Sequence, residues 1–156
     1  MTAGPAILRR LAAATTIALL MHGCSEDDTA RRRQAAGPDP SIANLTRIAD
    51  ASRGQRLFGQ CAACHTIARG APDQAGPNLF NVVNSPVAGV SPTFGYTYAL
   101  KQKGGRWTIP RLHRLLANPR RFVPGTQMLF PGLADPIDRA DVIAFLTTQT
   151  PQAAAK

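Results

Sequence analysis

Apolar residues recur at helical spacing near the end of the chain. In DPIDRADVIAFLTTQ, residues 135–149, one face collects Ile137, Ala140, Val142, Ala144, Phe145 and Leu146. Asp135 is a suitable N-cap, and Pro136 suits the first helical position, where its missing N–H costs nothing. The pattern predicts a helix that begins at Pro136 and buries one face.

Two earlier stretches also predict helices. TIPRLHRLLANP, residues 108–119, has an N-cap candidate in Thr108 and a leucine face. SIANLTRIADASRGQRLFGQ, residues 41–60, predicts one helix that contains Gly54. Because glycine inside a helix costs about 1 kcal/mol relative to alanine, Gly54 suggests that another helix crosses closely there.

Residues 70–95 are rich in turn-forming residues. Four prolines stand among glycines and asparagines: Pro72, Pro77, Pro86 and Pro92. A loop this long in a compact domain commonly wraps something. No strand hairpin pattern is found, so the folded part is predicted to be a set of three to five short helices. Their apolar content is thin unless a large apolar ligand completes the core.

The N-terminus has the pattern of a secretory signal. Arg9 and Arg10 precede an apolar run at residues 11–21, which is too short to span a hydrocarbon core that needs about 20 residues. LMHGC, residues 20–24, resembles a bacterial lipoprotein signal in which Cys24 is acylated, although Met21 and His22 depart from the usual pattern. The alternative is an ordinary cleaved signal with an incidental cysteine.

These patterns divide the chain into four parts. We expect a signal peptide at residues 1–23 and a flexible tether at residues 24–43, which begins at a lipidated Cys24. A folded domain follows at residues 44–150, and residues 151–156 are expected to form a disordered tail.

Charge narrows the choice of partners. Eighteen Lys and Arg face nine Asp and Glu, which gives a formal net charge of +9. Acidic protein surfaces and anionic lipid are electrostatically suited partners. Nucleic acid is not predicted, because no binding signature interleaves the charge with aromatic residues.

The motif CAACH, Cys61 to His65, has four readings. A zinc site needs four ligands, and beyond this trio the folded part offers only His113. A redox dithiol expects a preceding strand, and a disulfide across two residues would stabilise little. Cys-x-x-Cys-His is also the sequence of covalent c-type haem attachment, with the two thiols on the porphyrin and the histidine on iron. Haem is the favoured reading.

The sixth iron ligand would decide what such a haem does. An open position suits gas binding or peroxide chemistry, whereas a strong ligand confines the site to electron transfer. Met128 is the one methionine in the folded part, in a loop rich in Pro and Gly. A lone methionine in an arbitrary sequence would more often be core packing.

Five blocks of sequence together resemble class I cytochrome c of the mitochondrial and α-proteobacterial soluble type. They are GQRLFGQCAACHT, GPNLFNVV, SPTFGYTYALKQKGGRW, LANPRRFVPGTQMLFPGL and DRADVIAFL, between Gly54 and Leu146. The resemblance implies an all-α class I cytochrome c fold, with short helices wrapped around one covalently bound haem c. It implies an electron carrier and no enzyme.

The resemblance also implies a role for individual residues. Cys61 and Cys64 would carry the thioether links, and His65 and Met128 would bind iron. The carbonyl of Pro77 would accept the ring N–H of His65. Three further residues match positions that bond or shield the haem propionates: Tyr96, Trp107 and Thr126.

Two departures from the family concern the haem pocket. Leu115 stands where the mitochondrial type has a tyrosine, and Leu100 replaces a polar residue. Both changes remove polar groups that could order a buried water, so we expect a drier pocket with an altered potential.

The expected partners are acidic redox proteins, namely a quinol-oxidising complex and a terminal oxidase or reductase. Six basic residues border the haem in the family pattern, Arg56, Arg69, Lys101, Lys103, Arg120 and Arg121, while Gln127 is uncharged where the family has lysine. The protein is expected to be a monomer on the periplasmic side of a bacterial membrane, lipid-anchored or alternatively soluble. The alternative function is a haem subunit of one redox enzyme, or a peroxide- or gas-responsive protein if Met128 is not a ligand.

Overall fold

The computed structural model describes residues 24–150. The chain divides into two units, residues 1–39 and residues 40–156. The predicted signal peptide and the predicted C-terminal tail lie outside the described residues. No helix in the described part is both long enough and apolar enough to cross a membrane.

The first unit contains helix α1, Cys24–Ala36. Most of the segment predicted to be a flexible tether, residues 24–43, is thus helical, and its role as a tether stays a prediction. Opposite charges one turn apart favour the helix, as between Arg31 Nη2 and Asp28 Oδ1 at 3.3 Å. Gly37 ends it with φ of 81°, a conformation that glycine adopts readily.

The second unit is helical, as predicted. Its α-helices are α2 (Ile42–Ile48), α3 (Ala51–Leu57), α4 (Tyr98–Lys103), α5 (Ile109–Ala117), α6 (Pro119–Phe122) and α7 (Pro136–Thr148). A 3-10 turn, Phe58–Gln60, follows α3. Within the described residues the β-structure amounts to an isolated bridge between Pro86 and Arg106.

The single helix predicted over residues 41–60 is in fact two helices. Asp50 interrupts it, because its carboxylate accepts from the backbone N–H groups of Ser52 at 2.8 Å and Arg53 at 3.1 Å and so caps α3. The backbone N–H of Asp50 donates to Asp141 Oδ1 at 2.8 Å. A side chain of α7 therefore fixes the start of α3.

Helices α3 and α7 cross in direct contact at Gly54. A Cβ at this position would lie 1.9 Å from the carbonyl oxygen of Asp141, so only glycine permits the approach. One turn further on, the rings of Phe58 and Phe145 lie with centroids 5.3 Å apart. The close crossing inferred from Gly54 is confirmed, and it places the CAACH segment at the end of α3.

An ion pair secures the same crossing. Arg53 Nη1 donates to Asp141 Oδ2 at 2.9 Å and also to Asp138 Oδ1. Asp141 is fully buried and is stabilised by bonds to charged and backbone donors.

Helices α5 and α7 complete the core, where Ile143 is buried in addition to the predicted α7 residues and the predicted Ala144 is only half-buried. Asp135 caps α7 by accepting from the backbone N–H of Ile137 at 2.8 Å, as predicted. The buried cluster joins Leu112 and Leu116 of α5 to Val142 and Ile143 of α7. It also includes Phe58, Val82, Val83, Val87, Trp107, Leu133, Phe145 and Leu146.

Candidate functional site

The CAACH segment continues the helical path of α3 in tight turns. The backbone N–H groups of Cys64 and His65 both donate to the carbonyl of Cys61 at 3.0 Å. Residues three and four apart on such a path lie on the same side. Cys61, Cys64 and His65 are therefore presented together, as attachment to one planar group requires.

His65 is oriented by a backbone carbonyl. Its Nδ1 lies 2.7 Å from the carbonyl oxygen of Pro77, so Nδ1 carries the proton and donates, and the lone pair of Nε2 is available for a metal. Burial lowers the pKa of His65, and the bond to Pro77 partly opposes that shift. The ring is therefore held neutral, which is the form that binds iron.

Gly76 lies against the same ring. A Cβ there would stand 2.3 Å from Cε1 and 2.6 Å from Nδ1 of His65. Bare backbone at residue 76 is what allows the imidazole to lie where Pro77 can hold it.

Asn78 closes the loop behind His65, and the sequence analysis missed it. Its Nδ2 donates to Thr66 Oγ1 at 2.8 Å and to the carbonyls of Ala68 and Ala71 at 2.9 Å, while its Oδ1 accepts from the N–H of Phe80 at 2.7 Å. Asn78 is 8% exposed. The signal in the sequence was an asparagine directly after a proline in a long irregular loop, a residue suited to satisfying loop backbone.

The thiols of Cys61 and Cys64 weigh against the other readings of the CAACH motif. Cys61 and Cys64 are free, so the disulfide is not formed. Burial, with a contribution from neighbouring Cys64, raises the pKa of Cys61 to about 11, whereas a redox dithiol depends on a lowered pKa. Residues 24–150 contain no group of three His, Cys, Asp or Glu arranged to hold a metal ion, which disfavours zinc.

Met128 and Thr126 share one loop. The backbone N–H of Met128 donates to Thr126 Oγ1 at 3.2 Å, and the N–H of Thr126 donates to the carbonyl of Val123 at 3.0 Å. Met128 is half-buried, whereas its neighbour Leu129 is 77% exposed. None of the hydrogen bonds in the described part joins this loop to His65 or Pro77.

Tyr96 and Trp107 are both buried, but in different surroundings. The hydroxyl of Tyr96 accepts from the backbone N–H of Ser91 at 3.1 Å. The backbone of Trp107 pairs with Ser85 and Asn84, and its ring lies 6.3 Å from that of Phe122.

Apolar surface remains partly uncovered around the core of the second unit. Several side chains pack against the core and yet stay partly exposed: Cys61, Leu79, Val90, Leu100, Leu115 and Phe130. A flat apolar group attached to the thiols would cover such surface. The side chains that could hold a haem, namely two thiols, an imidazole and a thioether, are present. The residues fit the group.

His113 belongs to a different neighbourhood. Its Nε2 lies 3.3 Å from both Arg139 Nε and the carbonyl oxygen of Pro136, at the contact between α5 and α7. Burial and the positive charge of Arg139 lower the pKa of His113. This position serves the packing of α5 against α7.

The predicted basic residues are all exposed. They lie on separate segments: Arg56, Arg69, Lys101, Lys103, Arg120 and Arg121. Two cover aromatic rings, with Arg69 4.8 Å from the ring centroid of Phe80 and Lys103 4.4 Å from that of Phe122. All six residues, including these two, remain exposed to solvent.

Known proteins resemble this chain over its second unit. A family model described as cytochrome c matches residues 51–150. A cytochrome c2 from Rhodomicrobium vannielii is 47% identical over 100 residues, which cover 64% of this chain and 79% of that protein. A cytochrome c homolog from Bradyrhizobium diazoefficiens is 40% identical over 114 residues, which cover 73% of this chain and 62% of that protein.

A solved structure resembles the fold. Cytochrome cH from Methylobacterium extorquens superposes with a TM-score of 0.60 at 37% identity, covering 64% of this chain and 98% of that one. The all-α class I cytochrome c fold is confirmed by this likeness. The chain belongs to the cytochrome c family, whose members are electron-transfer proteins, not enzymes, and carry one covalently attached haem c.

Proposed function

We propose that this protein is a one-electron carrier in which His65 and Met128 bind the haem iron from opposite sides. The observation that carries the proposal is the 2.7 Å contact between His65 Nδ1 and the Pro77 carbonyl, because it places the proton on Nδ1 and leaves the Nε2 lone pair available to bind iron. Cys61 and Cys64 would hold the haem through thioether links.

The bound haem supplies an iron that gains and loses one electron. His65 and Met128 are both neutral ligands, and a thioether sulfur favours the reduced iron, so the pair supports a raised potential. His65 and Met128 would both stay bound in the two oxidation states, which would keep electron transfer quick.

Four residues complete the proposed haem site. Pro77 orients the histidine. Tyr96 and Thr126 each use the hydroxyl oxygen as an acceptor for a backbone N–H, which leaves the hydroxyl proton to donate to a propionate. Trp107 is 6% exposed, and we assign it the shielding of a propionate from water.

The proposed partners are acidic redox proteins, a quinol-oxidising complex on one side and a terminal oxidase or reductase on the other. The exposed basic residues support this, since long-range attraction speeds the encounter of opposite charges. We propose that the protein works as a monomer on the periplasmic side of a bacterial membrane, anchored by a lipid on Cys24.

The spectrum of the oxidised holoprotein tests the iron ligands. We expect a sulfur-to-iron charge-transfer band near the red end, lost in Met128→Ala and retained in the control His113→Gln. Absence of the band in the unaltered protein, together with rapid carbon monoxide binding, would contradict the proposal and favour a gas-responsive haem protein.

Mass spectrometry tests the attachments. We expect the mature protein to carry one haem, with Cys61 and Cys64 unreactive toward alkylating reagents, and to carry acyl chains on Cys24. An unmodified Cys24, or a chain cleaved beyond it, would rule out the lipid anchor and leave the haem assignment intact.

A further inference from the structure

Hydrogen bonds around Asp73 join two loops of the haem site. Oδ1 of Asp73 accepts from the backbone N–H of Asn78 at 2.7 Å. Oδ2 accepts from the hydroxyls of Ser91 at 2.7 Å and Thr93 at 3.4 Å. One carboxylate therefore accepts hydrogen bonds both from the residue that follows Pro77 and from the segment that leads to Tyr96.

The first of these loops contains both His65 and the carbonyl that holds it. Thr66, next to His65, donates from Oγ1 to the carbonyl of Pro72 at 2.8 Å and accepts from the side chain of Asn78. The loop is thus closed on itself by Asn78 and Thr66. Asp73 is the member of that loop that bonds to side chains of the neighbouring loop.

The second loop contains Tyr96. The hydroxyl of Ser91 donates to Asp73, and the backbone N–H of Ser91 donates to the hydroxyl oxygen of Tyr96. Asn78 follows Pro77 in the chain, and hydrogen bonds from Asn78 to Asp73, from Ser91 to Asp73 and from Ser91 to Tyr96 connect it to Tyr96. Bonds to a carboxylate are stronger than those between neutral groups, which suits Asp73 to hold the two loops together.

We infer that Asp73 is a positioning residue that keeps the Pro77 carbonyl against His65 and keeps Tyr96 in register on the adjoining loop. This inference rests on the proposed ligation of iron by His65. A firmly held carbonyl acceptor makes the imidazole more basic and favours oxidised iron. Loosening the link weakens that bond and raises the reduction potential.

The reduction potential of the purified holoprotein tests the inference in a set of matched variants. Ser91→Ala removes one donor to Asp73 and leaves all charges in place. Asp73→Ala removes the whole link, and Asp73→Asn keeps an acceptor for Asn78 without the charge. Ser85→Ala is the control, because Ser85 Oγ donates locally to the carbonyl of Val82.

We expect Ser91→Ala and Asp73→Ala to shift the ferrous-to-ferric equilibrium about threefold toward ferrous, which is about 28 mV at 59 mV per tenfold. The shift should be the same at low and high salt, smaller in Asp73→Asn than in Asp73→Ala, and absent in Ser85→Ala. In the Asp73→Ala background Ser91→Ala should add nothing, since both act through one link. Proton NMR of the His65 ring should show the same order of changes.

Three results would overturn the inference. One is an unchanged potential and unchanged His65 signals in Ser91→Ala while the sulfur-to-iron band is present. Another is an equal shift in Asp73→Asn and Asp73→Ala that salt abolishes, because charge alone would then explain it. The last is a fall in melting temperature with no change in potential, which would make the link purely structural. Absence of the sulfur-to-iron band in the unaltered protein would instead count against the proposed function.

Discussion

At the scale of single residues, backbone atoms hold the histidine of the haem motif. The carbonyl of Pro77 accepts from Nδ1, and Gly76 presents no side chain toward the ring. The orientation of His65 therefore depends on the path of residues 76–78, which Asn78 fixes through bonds to loop carbonyls.

Gly76→Ala should disturb this arrangement. The new Cβ would lie 2.3 Å from His65 Cε1, so either the ring or the loop must move and the bond to Pro77 is lost. We expect the iron affinity of His65 to fall about tenfold or more, the range seen when a group that orients a ligand is removed. The loss of iron affinity is measured by the yield of covalently attached haem and by the low-spin absorption spectrum.

Gly95→Ala is the control, because a Cβ there would meet nothing within 4 Å. It should keep haem yield and spectrum unchanged. Equal haem yields and spectra in the two variants would show that the loop accommodates the Cβ of Gly76→Ala without weakening the binding of His65 to iron.

At the scale of elements, the crossing of α3 and α7 determines where the haem motif begins. Gly54 allows the two backbones to meet, and the ion pair of Arg53 with Asp138 and Asp141 holds them. Because only the 3-10 turn Phe58–Gln60 separates CAACH from α3, the position of the motif depends on this contact.

Gly54→Ala should destabilise the fold. Its Cβ would lie 1.9 Å from the carbonyl oxygen of Asp141, so the helices must separate. We expect the free energy of unfolding in guanidinium to fall by about 2–3 kcal/mol, the upper part of the range for overpacking. Gly59→Ala has open space around its Cβ and should change the free energy of unfolding little. A Gly54→Ala variant as stable as Gly59→Ala would mean that the crossing adapts.

The contact between α5 and α7 should make stability depend on pH through His113. Burial and the charge of Arg139 lower the pKa of His113 below its ordinary value of 6.5, while the bond to the Pro136 carbonyl opposes this. Asp135 and Asp138 also face Arg139. The unfolded chain therefore binds more protons than the folded one just below pH 6.5, so stability falls as pH drops through that value.

Denaturant unfolding of the holoprotein at pH 7.5 and pH 5.5 checks this expectation. The loss of stability between the two pH values should be smaller in His113→Gln than in the unaltered protein. An identical loss in both proteins would show that His113 does not contribute.

At the scale of the whole molecule, the distribution of charge is uneven. No Asp or Glu occurs between Asp73 and Asp135, while seven Lys and Arg do: Lys101, Lys103, Arg106, Arg111, Arg114, Arg120 and Arg121. Helices α4, α5 and α6 lie in this stretch, so they carry positive charge without compensating carboxylates of their own.

Electron transfer to an acidic redox protein should therefore slow as salt is added. We expect the second-order rate constant to fall several-fold between low and physiological ionic strength, because salt screens the attraction. The double variant Arg120→Gln/Arg121→Gln should be slower at low salt and less sensitive to salt.

Arg47→Gln, on the exposed side of α2, is the matched control and should keep the rate constant and its salt dependence. Stopped-flow kinetics measure both. A rate constant that does not respond to salt in the unaltered protein would contradict electrostatic steering.

Much of the architecture could be predicted because it depends on local patterns. The α7 face, its Asp135 cap and the glycine at the helix crossing were all readable from spacing and residue type. The break at Asp50 was not, because the cap competes with a continuous helix and is favoured by a bond from Asp50 to Asp141, 91 residues away. Helix α1 was missed because its stabilising pairs are charged and leave no apolar pattern.

By itself the sequence determined the family and its covalently attached haem, and it predicted Cys61, Cys64, His65 and Met128 as the residues that hold it. Only the tertiary structure decided how that chemistry is held in place. The bonds of Asn78 and Asp73 join segments that are separate in the chain, and the backbone at Gly76 is brought against an imidazole eleven residues earlier. Such contacts follow from how loops close in space, and hydrophobic spacing carries no information about them.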